Sequence, residues 1–288
     1  MDRLYLAHFG LERSPFSITP DPRFFFPGAG RADLLRAIEY SVRHQEGIVV
    51  VTGEVGSGKT MLCRKLLDTL PDGLESIYLA NPSLRRREIT AALLRDLDGR
   101  QRPDLLDALQ QVLIARYMAG RRVMLVVDEA HVMPHESLEQ IRLLSNLETG
   151  RHKLLQIVLF GQPELDGVLL DERMRALRDR VVERFALCAL DRARVGDYLA
   201  HRMRVAGCAG DSPFGPGAVR EIWNSAAGLV RRVNLLADKA LLSAFVRGHT
   251  RVDRRDVARA RTDLDGAPAT PRRTPLVAAI AQPLGAVA

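Results

Sequence analysis

At 288 residues and 47% hydrophobic content, the chain can bury the core of one large α/β domain plus a smaller one. Its net charge of +7 and pI near 9.8 keep an anionic partner open, nucleic acid or a membrane surface, although the arginine clusters (Arg85–Arg87, Arg121–Arg122, Arg231–Arg232, Arg254–Arg255) are scattered as on solvated helix faces. Cys63, Cys188 and Cys208 have no C-x-x-C or Cys/His metal spacing, which argues for the reducing cytoplasm; with no run of about 18 uninterrupted apolar residues and no signal-peptide layout at Met1–Tyr5, neither a membrane span nor export is expected.

The first segment, residues 1–46, is an aromatic and proline-rich arm followed by a first helix. Tyr5, Phe9, Phe16, Phe24, Phe25 and Phe26 alternate there with Pro15, Pro20, Pro22 and Pro27. Such an arm most simply docks on the body as an ordered extended segment; stacking on a base is the alternative. Gly47–Thr52 is a short β-branched run that predicts a buried strand. Gly53, Glu54, Val55, Gly56, Ser57, Gly58, Lys59 and Thr60 then fit the phosphate-binding pattern G-x-x-x-x-G-K-S/T without mismatch. The glycines let successive amides turn toward phosphate oxygens, Lys59 supplies a positive charge for the β- and γ-phosphates, and the Thr60 hydroxyl is placed for Mg²⁺. Met61–Leu67 reads as the helix whose N-terminus faces the anion.

Ser76–Ala80 predicts a second strand, and helices follow over Arg86–Leu97 and Pro103–Met118. The apolar run Arg122–Val127 ends in Asp128 and Glu129. An acid at that strand end suits Mg²⁺ held through water, and the next one suits a general base for the attacking water. Capping of the following helix by Asp128 is the competing account. A helix over His135–Leu147, a strand over Leu154–Phe160 ending at Gly161-Gln162-Pro163, and a strand over Val181–Leu187 complete a region, residues 47–190, that alternates strands with helices. That order implies a five-stranded parallel sheet covered on both faces. From 191 to 265 only helices are expected, at Val195–Val205, Pro216–Ala226, Leu229–Phe245 and Arg254–Thr262, forming a small lid. Residues 266–288 are expected to be a disordered tail.

With these residues assembled, the chain resembles an AAA+ ATPase, and more narrowly the accessory ATPases of type II secretion and type IV pilus systems, including MSHA pilus biogenesis. The resemblance covers about Leu4 to Asp263. It rests on the arm (Tyr5–Leu11, Pro15–Pro22), Val51–Thr60, Cys63–Leu67 and Asp128-Glu129-Ala130-His131. It implies a P-loop fold with a helical lid, ATP and Mg²⁺ as cofactors, and three further roles. Gln162 takes the polar sensor position that reads the γ-phosphate. Arg180, with Arg178 and Arg184 as close competitors, takes the arginine finger inserted into a neighbour's site. Arg231, or Arg232 beside it, takes the lid arginine that reports nucleotide state. Val230 stands where the family usually has proline, and Gly30–Asp33 lacks the family's usual histidine.

The expected activity is ATP hydrolysis by a cytoplasmic homo-oligomer, coupled to assembly of a pilus or secretion complex through a membrane-bound partner at the inner membrane. A DNA-binding regulator ATPase, such as a transposition accessory protein, is the alternative.

Overall fold

A computed structural model describes residues 4–44, 47–98, 104–150 and 152–266. It divides into two compact units, Gly30–Cys188 and a second made from both chain ends, Met1–Ala29 with Ala189–Ala288. The C-terminal segment expected to be disordered lies outside the described residues, apart from Gly266.

In the larger unit the order is α1 (Arg31–His44), β1 (Ile48–Thr52), α2 (Lys59–Asp68), β2 (Leu74–Leu79), α3 (Arg86–Asp98), α4 (Leu105–Met118), β3 (Arg122–Val127), α5 (His135–Leu144), β4 (Leu155–Gly161), α6 (Glu164–Leu170), α7 (Arg175–Arg178) and β5 (Val181–Ala186). The five strands form one parallel sheet in the order β2-β3-β4-β1-β5. Burial follows that order. The inner strands β1 and β4 are buried at every position and β3 at all but Arg122, whereas edge strand β5 alternates half-buried and exposed residues. A strand covered on both faces needs a continuous apolar run, and IVVVT and VMLVV supply it.

The core is aliphatic, with Val50, Leu125, Ile157 and Leu159 facing Ile89, Leu93, Leu109, Leu138 and Ile141 from the helices. Helix α5 stops at Leu144 rather than Leu147. Leu147 is still buried, at 7% exposure, so the apolar spacing runs on although the backbone has turned into a loop. Helices α6 and α7 are too short to impose a helical period on the sequence.

The smaller unit holds α8 (Arg192–Val205), α9 (Pro216–Ala226), α10 (Val230–Val246) and α11 (Arg254–Asp265). The arm belongs to this unit. Tyr5, Leu11, Phe16, Phe24 and Phe26 are buried among Leu199, Met203, Phe214 and Leu236. The arm is less extended than expected, because 3-10 turns at Ala7–Phe9 and Pro22–Phe24 fold its rings inward. Backbone Glu12 N–H donates to Ala206 O at 2.8 Å, and the Tyr5 hydroxyl donates to Asp238. Arg202, 3% exposed, donates to Pro15 O and lies over the rings of Phe24, Tyr198 and Phe16 at 4.5, 5.8 and 6.0 Å. Between α9 and α10, Gly228 has φ +74°, and a Cβ there would meet Leu190 O at 2.0 Å. Only glycine fits.

Candidate nucleotide site

The sheet order makes β3, β4 and β1 consecutive neighbours, so the loops leaving their C-terminal ends lie side by side, where ligands bind in open α/β sheets. After β1 runs the loop Gly53–Gly58. Gly56 and Gly58 have φ +79° and +107°, and Gly58 is the N-cap of α2, so the helix opens on the loop. A Cβ on Gly53 would lie 2.7 Å from Leu187 O and 2.9 Å from Ser57 Oγ. Lys59 is 5% exposed, and its Nζ donates to Gly53 O at 2.6 Å and Glu54 O at 3.0 Å. Burial lowers its pKa below the ordinary lysine value, opposed by the carboxylates of Glu129, Asp128, Glu54 and Glu164. Ser57 Oγ is buried and has no hydrogen-bond partner among the described residues. A buried cation and an orphaned hydroxyl inside a glycine loop are what a polyanion would satisfy. Glu54 and Val55 are exposed at the loop tip, and Thr60 is half-buried in the first turn of α2.

After β3 comes Asp128, 4% exposed, whose Oδ1 accepts from Glu129 N at 2.9 Å and whose Oδ2 accepts from the Tyr78 hydroxyl at 3.2 Å. Burial, with the Asp128 charge beside it, pushes the Tyr78 phenol well above its usual pKa. The capping account of Asp128 fails, because the N-cap of α5 is Pro134. Glu129 has φ +55°, one of three non-glycine residues with positive φ in the described structure. An acidic residue held in the left-handed region costs about 1–3 kcal/mol and persists where the surroundings fix it. Its Oε2 lies 3.4 Å from Gln162 Nε2, at the end of β4, and 3.6 Å from His131 Nδ1. The structure therefore brings Gly53–Thr60, Asp128, Glu129 and Gln162 into one constellation.

The arginines sort differently. Arg178 donates to the carbonyls of Leu169 and Leu170 at 3.4 and 3.3 Å, and Arg184 pairs with Asp166 at 3.0 Å. Arg180, between them in sequence, makes no side-chain hydrogen bond or ion pair among the described residues, and lies outside the constellation. In the smaller unit Arg232 donates to Ser225 O at 2.7 Å and to Asp265 at 2.8 Å, whereas Arg231 is exposed on the first turn of α10.

Three residues near the loop carried no assigned role in the sequence: Tyr78, His131 and Arg31. Arg31, 7% exposed, donates from Nη2 to Ser57 O and to Cys188 O, each at 3.3 Å. A lone Tyr or Arg has no motif, and only strand register or the path of α1 reveals what it reaches.

Among the described residues no group of three or more His, Cys, Asp and Glu side chains could hold a metal, and no helix is long and apolar enough to cross a membrane. A Thr hydroxyl and one buried carboxylate beside a phosphate cradle nonetheless form a donor set that fits Mg²⁺, which keeps several waters and takes the rest from phosphate.

Residues 42–169 match the AAA domain family. General secretion pathway protein A of Aeromonas hydrophila is 38% identical over 269 residues, 91% of this chain and 49% of its own length. The chain thus spans about half of that relative. Among solved structures, Aeropyrum pernix ORC2 aligns with TM-score 0.64 at 14% identity, covering 85% of this chain and 72% of its own. Cdc6p of Pyrobaculum aerophilum aligns with TM-score 0.63 at 18% identity, over 83% and 70% respectively. Aeropyrum pernix ORC1, solved in complex with DNA, aligns with TM-score 0.60 at 18% identity, over 88% and 69%. At those identities the structural likeness speaks to fold alone.

Proposed function

The chain is an AAA+ protein akin to general secretion pathway protein A, and from that premise we propose that it is an Mg²⁺-dependent ATPase serving assembly of a secretion or pilus complex. One observation carries the reading: the glycine loop after β1, the acid pair after β3 and Gln162 after β4 converge from three neighbouring strands.

The amides of Gly53–Thr60 bind the phosphates at the N-terminus of α2, and Lys59 exchanges the carbonyls of Gly53 and Glu54 for β- and γ-phosphate oxygens. Thr60 and Asp128 would hold Mg²⁺, which supplies charge neutralisation across the phosphates. Glu129 accepts the proton of the attacking water. Gln162, bonded to Glu129 in this state, turns to the γ-phosphate and frees the carboxylate for that proton. Arg180, having no partner within its own subunit, reaches the γ-phosphate of a neighbour's site, which makes a homo-oligomer the active form. Arg231 carries nucleotide state into the lid. The partner is a membrane-bound assembly protein, which holds this cytoplasmic chain at the inner-membrane face.

Phosphate release measured against protein concentration tests the reading. Turnover per subunit should climb with concentration, fall about 10³-fold or more in Arg180→Ala, and vanish in Glu129→Gln while ATP binding persists. The +7 net charge supports a second reading, a DNA-dependent regulator. Flat turnover that duplex DNA stimulates steeply at low salt would favour it and sink the first.

A further inference from the structure

We propose that Tyr78 is a positioning residue for the metal-bearing carboxylate: its hydroxyl fixes the plane of Asp128, so that the acid meets Mg²⁺ in one orientation. The inference rests on the Mg²⁺-ATP reading above and adds to it a residue from the edge strand β2.

The argument begins with register. β2 and β3 pair in parallel with Tyr78 opposite Val126 and Leu79 opposite Val127, and Asp128 N–H donates to Leu79 O at 3.2 Å. Pairing thus runs one residue beyond β3 and holds the Asp128 backbone against the end of β2. Tyr78 is 36% exposed, enough for its hydroxyl to be served by water. Instead the hydroxyl reaches across to Oδ2 of a carboxylate that is only 4% exposed. The other oxygen, Oδ1, is taken by the amide of Glu129. Among the described residues Tyr78 is the sole side-chain donor to Asp128. The amide alone leaves the carboxylate free to rotate about Cβ–Cγ; a second donor on the other oxygen stops that rotation. Each oxygen keeps lone pairs for metal-bound water.

Groups that hydrogen-bond a metal ligand from behind orient it, and losing one typically costs 10–100-fold in metal affinity. Tyr78→Phe removes one oxygen atom from a partly exposed ring, so the strand and its packing stay in place. Equilibrium binding of methylanthraniloyl-ATP to the full chain, titrated with Mg²⁺, provides a readout independent of turnover. The half-saturating Mg²⁺ concentration should rise about tenfold or more in Tyr78→Phe. Affinity for the same nucleotide in EDTA should stay at the wild-type value. In an Asp128→Asn background, Tyr78→Phe should add nothing, because the oriented group is gone.

A half-saturation unchanged in Tyr78→Phe, while wild type remains Mg²⁺-dependent, overturns the assignment of Tyr78 and leaves the ATPase reading standing. An equal loss of affinity in EDTA also overturns it, by revealing a general structural role. A wild-type protein whose nucleotide binding ignores Mg²⁺ removes the underlying reading and this inference with it.

Discussion

Replacing Arg202 tests whether the arm is an integral part of the smaller unit. The guanidinium is 3% exposed, donates to Pro15 O and faces three aromatic rings, and none of the ion pairs found among the described residues includes it. Burial lowers its pKa, with the phenol of Tyr198 and the carboxylate of Asp21 opposing at longer range. In Arg202→Ala a charge-assisted hydrogen bond of about 1.5–3 kcal/mol is lost. A desolvated cation–π contact of about 2 kcal/mol goes with it, and a cavity remains. Relief from burying a charge returns part of this. The net expectation is a loss of about 3 kcal/mol, more than a hundredfold in the unit's folding equilibrium. Arg202→Met keeps the stem packed and still removes the buried charge, so it should cost about 1 kcal/mol. Trp223, the chain's single tryptophan, lies on α9 and reports on this unit alone in urea titrations. Limited proteolysis reads the arm directly, which should be cleaved much faster in the Ala variant. Unfolding within about 0.5 kcal/mol of wild type, with no faster cleavage, would refute the reasoning.

Three further outcomes follow from the same geometry. Gly228→Ala must push a Cβ into Leu190 O from a left-handed backbone, so the urea midpoint reported by Trp223 should fall by an amount equivalent to about 2 kcal/mol or more. Gly53→Ala crowds Leu187 O and Ser57 Oγ, which should weaken methylanthraniloyl-ATP binding about tenfold while the Trp223 transition stays put. Burial lowers the pKa of His201 from 6.5, against a raising bond with the Phe25 backbone. The unfolded ring therefore binds its proton first as pH falls below 6.5, and stability is lost until the folded pKa is passed, with no change above 6.5. Urea midpoints at pH 7.5 and 5.5 should show this loss, and His201→Phe, packed against Phe26, should flatten it.

Much of the larger unit could be read from the chain because its signals are local. IVVVT before the glycine loop, VMLVV before the acids and the helical spacing of Arg86–Leu97 each depend on near neighbours, and strands and helices fall close to where those runs lie. The convergence of Asp128, Glu129 and Gln162 followed from their shared position at strand ends. What escaped the sequence depends on distant partners. Nothing around Phe16 or Phe24 says that their pocket is built from residues beyond 190, and nothing around Tyr78 says that β2 will pair with β3 one residue past its end. Arg178, Arg180 and Arg184 look alike in a row. Only the carbonyls after α6 and the carboxylate of Asp166 separate the two engaged arginines from the free one.

Because the smaller unit contains both chain ends, the polypeptide enters and leaves the sheet unit once each, near residues 30 and 188. Arg31 ties those two crossing points together by bonding Cys188 O, and bonds the glycine loop through Ser57 O. A panel hung on two adjacent pins swings like a door, about the line through the pins, and resists twisting in other directions. The N-terminal arm and the last helix ride on the same panel. A partner that grips either terminus therefore moves the other as well, and the strain it applies reaches the phosphate loop through a single guanidinium.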